Sequence, residues 1–277
     1  MKYRHAFHAG NFADVMKHAA LVAVLARLTE KDRPLFLLDT HAGRGRYDLA
    51  EAGAEAERGI LRVASAGIEA AHPALARYLA IVRELNGGGP IRAYPGSPLI
   101  AAAFMRPDDR AAFCELRDPE AEALRRELRG DARIGVHLRD GYEALGALLP
   151  ASMRGLALID PPYEETDADF TRVAEALLAA AARWPQGVLM AWYPIKLGAV
   201  AARLQRRIVA AGAKRVLAAE LCVHPDDSRA GLNGSGILVI NPPWRYAEDL
   251  QAMLPPLHAA LAENGQGRFG VVRLAGE

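Results

Sequence analysis

The stretch Ile159-Asp160-Pro161-Pro162-Tyr163 holds residue types suited to chemistry on an exocyclic amine. Such an amine is a poor nucleophile, because its lone pair is delocalised into its ring or carbonyl. A carboxylate and a proline carbonyl aimed at the two N–H hydrogens favour a pyramidal nitrogen and stabilise the positive charge that develops in the transition state. Two successive prolines fix the backbone so that its carbonyl points into the site. Tyr163 offers a face on which an unstacked base can lie. Asp160, Pro161 and Tyr163 are therefore the candidate catalytic residues. The same tetrad also fits an Asx-Pro turn that closes a strand. Asn241-Pro242-Pro243-Trp244 follows almost the same pattern and has to be separated from it by topology.

A second group of residues has the chemistry of a nucleoside site. Leu37-Leu38-Asp39-Thr40-His41-Ala42-Gly43-Arg44-Gly45 reads as an apolar strand running into a Gly-x-Gly turn. Glycine there, Gly43 first, lets the backbone approach a ligand closely and sets helix N-terminal amides beside it. The spacing is neither a dinucleotide fingerprint nor a P-loop. Glu115 closes the next expected strand, where an acid can accept hydrogen bonds from both hydroxyls of a ribose. Asp140-Gly141 closes the third, where an acid can bond an adenine amine. Each acid alone also fits a solvated strand end or a helix cap. Three consecutive strands ending in this way point to a nucleoside-containing cofactor.

The elements that must position these residues follow from the alternation of short apolar runs with helix-like stretches. Strands are expected at 34–39, 110–116, 133–139, 155–160 and 187–193, giving a doubly wound parallel sheet. Segments 216–223 and 237–240 flank a Gly-, Asn-, Asp- and Ser-rich loop and read as a terminal antiparallel hairpin. The fold class is α/β and Rossmann-like, with a mostly parallel seven-stranded sheet in one domain spanning 1–277. About 70 residues separate the first two strands, far more than one crossover needs. The excess, 47–94, is rich in Ala, Glu and Arg and reads as an inserted helical subdomain. If 237–240 runs antiparallel, Asn241 lies at the opposite sheet edge from the cofactor, which assigns the chemistry to Asp160 and a structural role to Asn241.

Composition removes other classes. The 277 residues are 51% hydrophobic, too apolar for disorder, and lack the run of roughly 20 apolar residues of a membrane span. The N-terminus has no signal-peptide core, so a cytoplasmic protein is expected. Cys114 and Cys222 sit in apolar runs and support neither a disulfide framework nor a zinc site. His5, His8, His18 and His41 lack convincing ligand spacing, so no metal is expected. With 34 Lys+Arg against 33 Asp+Glu, nucleic acid would be held by a local patch. The first 18 residues carry only one acid, Asp14, and residues 176–219 carry Arg183, Lys196, Arg203, Arg206, Arg207, Lys214 and Arg215 with no acid. Either region fits a phosphate-facing patch or, equally, an ordinary solvated helix.

Over nearly its whole length the chain resembles the bacterial J-type methyltransferases that modify adenine N6 in 23S ribosomal RNA with S-adenosylmethionine. The likeness runs through Tyr3-Arg4-His5-Ala6-Phe7-His8-Ala9-Gly10-Asn11, Asp39-Thr40-His41-Ala42-Gly43, Tyr94-Pro95-Gly96-Ser97-Pro98, the Asp160 tetrad, Trp192-Tyr193-Pro194, Gly234-Ser235-Gly236 and Asn241-Pro242-Pro243-Trp244. Arg117-Asp118 depart from the family's His-Pro, while Glu115 is retained. The resemblance implies cofactor contacts from His18, His41, Ser97, Glu115, Asp140 and Gly141. It also implies Asp160 as the amine acceptor, and an N-terminal tail that brings Tyr3, His5 and Lys17 towards the target base. It further implies 23S rRNA as partner; a monomer is expected, with no membrane and no metal. By the residues alone, a DNA adenine or protein-glutamine methyltransferase, or a non-catalytic nucleic-acid-binding module, remains a rival reading.

Overall fold

The computed structural model describes residues 7–150, 152–164, 166–197, 200–229 and 231–276. Asn11 opens the first helix, α1 (Phe12–Thr29), by accepting hydrogen bonds from Ala13 N and Asp14 N. α1 is apolar almost all round and correspondingly buried, as a helix of that composition must be. It leads to β1 (Leu35–Asp39). A two-stranded ribbon of β2 (Arg46–Asp48) and β3 (Ala93–Pro95) pairs Tyr47 with Tyr94. Between these strands run α2 (Leu49–Ala52), α3 (Ala54–Ala56), α4 (Arg62–Ser65) and α5 (Pro73–Leu85). This helical segment docks on the start of α1: Ile60 N donates to Gly10 O at 2.8 Å, and a Cβ on Gly59 would meet that oxygen at 2.0 Å.

After α6 (Ser97–Ala102), strands and helices alternate: β4 (Arg110–Glu115), α7 (Asp118–Glu127), β5 (Ile134–Leu138), α8 (Gly141–Leu148), β6 (Arg154–Ile159), α9 (Thr166–Arg183), β7 (Gly187–Ile195) and α10 (Val200–Ala210). The chain ends in β8 (Val216–Cys222), β9 (Gly234–Ile240), α11 (Tyr246–Leu261) and β10 (Arg268–Ala275). The sheet order is β10-β8-β9-β7-β6-β1-β4-β5. β7, β6, β1, β4 and β5 are mutually parallel, whereas β9 runs antiparallel to both β7 and β8.

The mostly parallel sheet with its terminal antiparallel hairpin is present. It carries eight strands rather than seven, because β10 adds antiparallel to β8 at the edge. β9 also starts earlier than the apolar run suggests, at Gly234. Both faces of the sheet are covered, and alternate residues of β1 serve opposite cores. Leu35 and Leu37 pack in the cluster with α1, α5 and α11, and Leu38 in the one with α8 and α9. Both cysteines are buried and free, and burial pushes the Cys114 thiol up to about 12. Among the described residues no helix is long and apolar enough to cross a membrane, and no group of three or more His, Cys, Asp or Glu could hold a metal ion.

The topology separates the two proline tetrads. Asp160 follows β6 at the carboxyl edge of the parallel strands. Asn241 follows antiparallel β9 at the other edge, where its Nδ2 donates to Gly187 O at the start of β7 at 3.0 Å.

Candidate active site

The centre of the site is an ion cluster that joins α1 to the end of β6. Lys17 Nζ lies 2.6 Å from Asp160 Oδ2 and 2.8 Å from Asp14 Oδ1, and only 5% of its side chain is exposed. An ammonium buried so deeply is tolerable only when paired. Burial works against its charge, yet the two carboxylates together outweigh that and hold Lys17 well above its ordinary value. Asp14 is itself fixed by Gly10 N, which donates to its Oδ2 at 3.0 Å. Lys17 Nζ also sits 5.7 Å from the centre of the Trp192 ring. Asp160 is thus oriented through Oδ2, and among the described residues its Oδ1 accepts no hydrogen bond. The arrangement presents one carboxylate oxygen as a ready acceptor for an N–H.

The loops after β1, β4 and β5 converge on the same edge. Ser97 Oγ donates to Asp39 Oδ2 at 2.6 Å, and His41 N donates to Oδ1 at 3.1 Å. Burial pushes the Asp39 carboxyl up to about 7 despite these donors, with the nearby charge of Asp160 acting in the same direction. Desolvation drives the His41 imidazole down to about 4, against the pull of Asp160 and Asp140. Both groups therefore feel Asp160, which ties the tetrad electrostatically to the β1 loop. Gly43, at φ +62°, donates its N–H to Glu115 Oε2 at 2.9 Å. A Cβ there would lie 2.1 Å from Tyr47 Oη. Arg117 N donates to Glu115 Oε1 at 2.8 Å. A carboxylate has about four acceptor sites, so Glu115 keeps capacity for a pair of hydroxyls.

Asp140 is the N-cap of α8, its Oδ1 accepting from Tyr142 N at 2.7 Å, and its Oδ2 pairs with Arg172 at 2.9 Å. Burial opposes its charge, but the Tyr142 amide and Arg172 prevail and hold it below the usual carboxylate range. The side chain is therefore largely committed, and any adenine amine would share Oδ2 with Arg172. Gly141 is required by close approach: a Cβ would lie 1.9 Å from Thr40 O. The Tyr142 hydroxyl is buried without a hydrogen-bond partner, while its ring meets His41 edge-on at 5.2 Å and lies under Arg172 at 4.0 Å.

Two of the expected site residues are buried and hydrogen-bonded within the protein. His18 is 1% exposed, its Nδ1 2.7 Å from Tyr94 Oη. Tyr163 is 3% exposed: its hydroxyl donates to Trp192 O at 2.6 Å and its ring packs on Phe170 at 4.8 Å. Its φ of +49° turns the chain sharply after the two prolines. The ring anchors the tetrad loop instead of offering a free face. Tyr3 and His5 lie outside the described residues.

A family model described as ribosomal RNA large subunit methyltransferase D, RlmJ, matches residues 32–274. The chain belongs to this family. Ribosomal RNA large subunit methyltransferase J of Escherichia coli (strain K12) is 40% identical over 276 residues, covering 98% of each chain. The protein of that name from Haemophilus influenzae is 38% identical over 278 residues, again covering 98% of both. The crystal structure of protein LPL1258 from Legionella pneumophila str. Philadelphia 1 aligns with a TM-score of 0.88 at 33% identity, covering 96% of this chain and 98% of that one.

In this RlmJ family member several motif residues turn out to hold the site rather than line it. A Cβ on Gly236 would strike the Tyr193 ring at 2.1 Å. Ser235 Oγ accepts from Trp192 Nε1 at 2.9 Å and donates to Ala13 O at 3.1 Å, which clamps α1, and with it Lys17, against β7 and β9. Sequence reasoning missed Asp14 as the partner of Lys17. The available signal was their i,i+3 spacing and the absence of any other acid in the first 18 residues.

Proposed function

We propose that the chain methylates the N6 amine of an adenine in 23S rRNA, with S-adenosylmethionine as donor. The observation that carries this reading is Asp160, held by Lys17 with one oxygen unengaged, at the sheet edge where Asp39 and Glu115 end their strands and Asp140 follows β5 as the cap of α8. Membership of the RlmJ family supports the RNA substrate, and the relatives' shared name specifies the large ribosomal subunit.

The residues at that edge fit a nucleoside bearing a cationic side arm. Glu115 has acceptor capacity for ribose hydroxyls, Gly43 brings bare backbone to the site, and the unpartnered Tyr142 hydroxyl is a polar group that a ligand would satisfy. Bound there, S-adenosylmethionine supplies an electrophilic methyl on a sulfonium. The chain's own contribution is positional. The target adenine is unstacked into the pocket, Asp160 Oδ1 accepts one amine hydrogen and the Pro161 carbonyl the other. Lys17 keeps Asp160 aimed. Proton loss follows transfer, so Asp160 need not be a strong base.

The test feeds radiolabelled S-adenosylmethionine with RNA, DNA and protein fractions. Label is expected in rRNA, and label in DNA or in protein glutamine would replace this substrate assignment. Asp160→Ala is expected to abolish transfer while calorimetric cofactor affinity stays within about threefold. Normal turnover in that variant would remove Asp160 from its role.

A further inference from the structure

At the edge of the sheet remote from Asp160, Trp244 stands 85% exposed in the Asn241-Pro242-Pro243-Trp244 loop. The loop is firmly held. Asn241 Nδ2 donates to Pro185 O at 3.2 Å and Gly187 O at 3.0 Å, Asn241 N donates to Arg215 O at 2.9 Å, and Arg215 Nη2 reaches Pro242 O at 3.4 Å. These bonds gather three chain segments, and each brings cations: Arg183 before Pro185, Lys214 and Arg215 before β8, and Arg245 beside Trp244. All four are exposed, and among the described residues none has an ion-pair partner. Arg203 and Arg207, in the same basic stretch of sequence, are by contrast paired with Asp167 and Glu175 on the outside of α9 and α10.

The nearest acid along the Trp244 loop, Glu248, is engaged by Arg273. An exposed indole in a loop bonded to segments that carry cations without ion-pair partners has the chemistry of a platform for a single-stranded nucleic acid, stacking a base while the cations take phosphates. It is separated from Asp160 by the length of β6, six residues or about 20 Å. One strand therefore cannot place the same nucleotide at both points.

We infer that Trp244 and the four cations on the segments bonded to its loop form a second RNA contact, which stacks an unpaired base flanking the target and anchors the rRNA across the sheet from the transfer site. The inference rests on the RNA substrate proposed above, and a binding measurement separates the two. Filter binding of deproteinised 23S rRNA to the full chain requires no methyl transfer. Trp244→Ala is expected to weaken it at least fivefold, Trp244→Phe to restore most of the loss, and Trp244→Leu not to, because stacking needs a ring. Lys214→Glu with Arg245→Glu is expected to lower the salt dependence of binding by about one unit of slope per cation removed. In turnover, KM for 23S rRNA rises at least fivefold with kcat and cofactor affinity unchanged. Unchanged affinity and salt slope in these variants would overturn the contact even if the wild-type chain methylates rRNA. A defect confined to protein-loaded precursor particles, or a change in sedimentation without loss of RNA affinity, would overturn it in favour of a protein surface. Failure of the wild-type chain to methylate 23S rRNA, with Trp244-dependent binding intact, would remove the proposed activity and leave the RNA contact standing.

Discussion

Replacing Lys17 by Met removes the cation shared by two carboxylates and leaves a side chain of similar length. The side chains of Lys17 and Asp14 are each 5% exposed and that of Asp160 is 14% exposed, so the orphaned charges cannot be resolvated without distorting α1 or the tetrad loop. Breaking a buried pair by deleting one partner costs about 3–5 kcal/mol. At roughly 2–4 °C per kcal/mol for a chain of this size, the melting temperature should fall by about 6–20 °C. Asp14→Asn should cost less, since Lys17 keeps Asp160. The double variant Asp14→Asn/Lys17→Met should recover part of the single Lys17→Met loss, because one of the two stranded charges is gone.

The sign with pH is also fixed. A lysine whose folded value is raised contributes stability fully below its unfolded value of about 10.4 and loses it only as pH climbs through the higher folded value. The gap between wild type and Lys17→Met should therefore be constant from pH 7 to 9. Thermal denaturation followed by circular dichroism at pH 7, 8 and 9 measures all three variants. A Lys17→Met shift under about 2 °C, or a double variant worse than the single one, would refute the paired-charge argument.

Asp39 and His41 should oppose one another as pH changes. With Asp39 raised to about 7 by burial, its stabilisation is complete below about pH 4 and is lost as pH rises towards 7. His41, lowered to about 4, contributes fully above about pH 6.5 and loses that contribution as pH falls. Relative to wild type, Asp39→Asn should gain stability from pH 4 to 7, and His41→Gln should gain it from pH 7 down to 4. Urea titrations across that range check both slopes. Gly141→Ala places a methyl against Thr40 O and should destabilise by about 1–3 kcal/mol while weakening cofactor binding, read by the urea midpoint and by calorimetry.

The parallel strands were legible because each is a short apolar run ending in a small or acidic residue, and the observed ends of β1, β4, β5 and β6 fall within a residue or so of the expected ones. β10 was not legible. It is a half-exposed edge strand carrying Arg268 and Arg273, with little of the hydrophobic signal that marks a buried strand. The start of β9 was hidden by Gly234-Ser235-Gly236, which reads as loop but is strand because the Tyr193 ring fills the space over Gly236. Within the site, the strand-end acids and the tetrad could be read as separate points. Their linkage could not, since Lys17 and Asp160 are 143 residues apart and meet only through the packing of α1 on β7 and β9. Two further site residues, His18 from the resemblance and Tyr163 from its residue type, have hydrogen-bond partners that the sequence did not reveal. His18 is bonded to Tyr94 on β3, and Tyr163, in the loop after β6, to Trp192 on β7, partners that only the tertiary packing brings together.

The most direct test of the central claim is a map of N6-methyladenine in 23S rRNA from cells lacking this chain, complemented with either the wild type or Asp160→Asn. A single unmethylated adenine should appear in the deletion and regain its methyl with the wild type. It should stay bare with Asp160→Asn, although that protein accumulates and still binds S-adenosylmethionine. Full methylation by Asp160→Asn, or an rRNA methylation map unaltered by the deletion, would contradict the account.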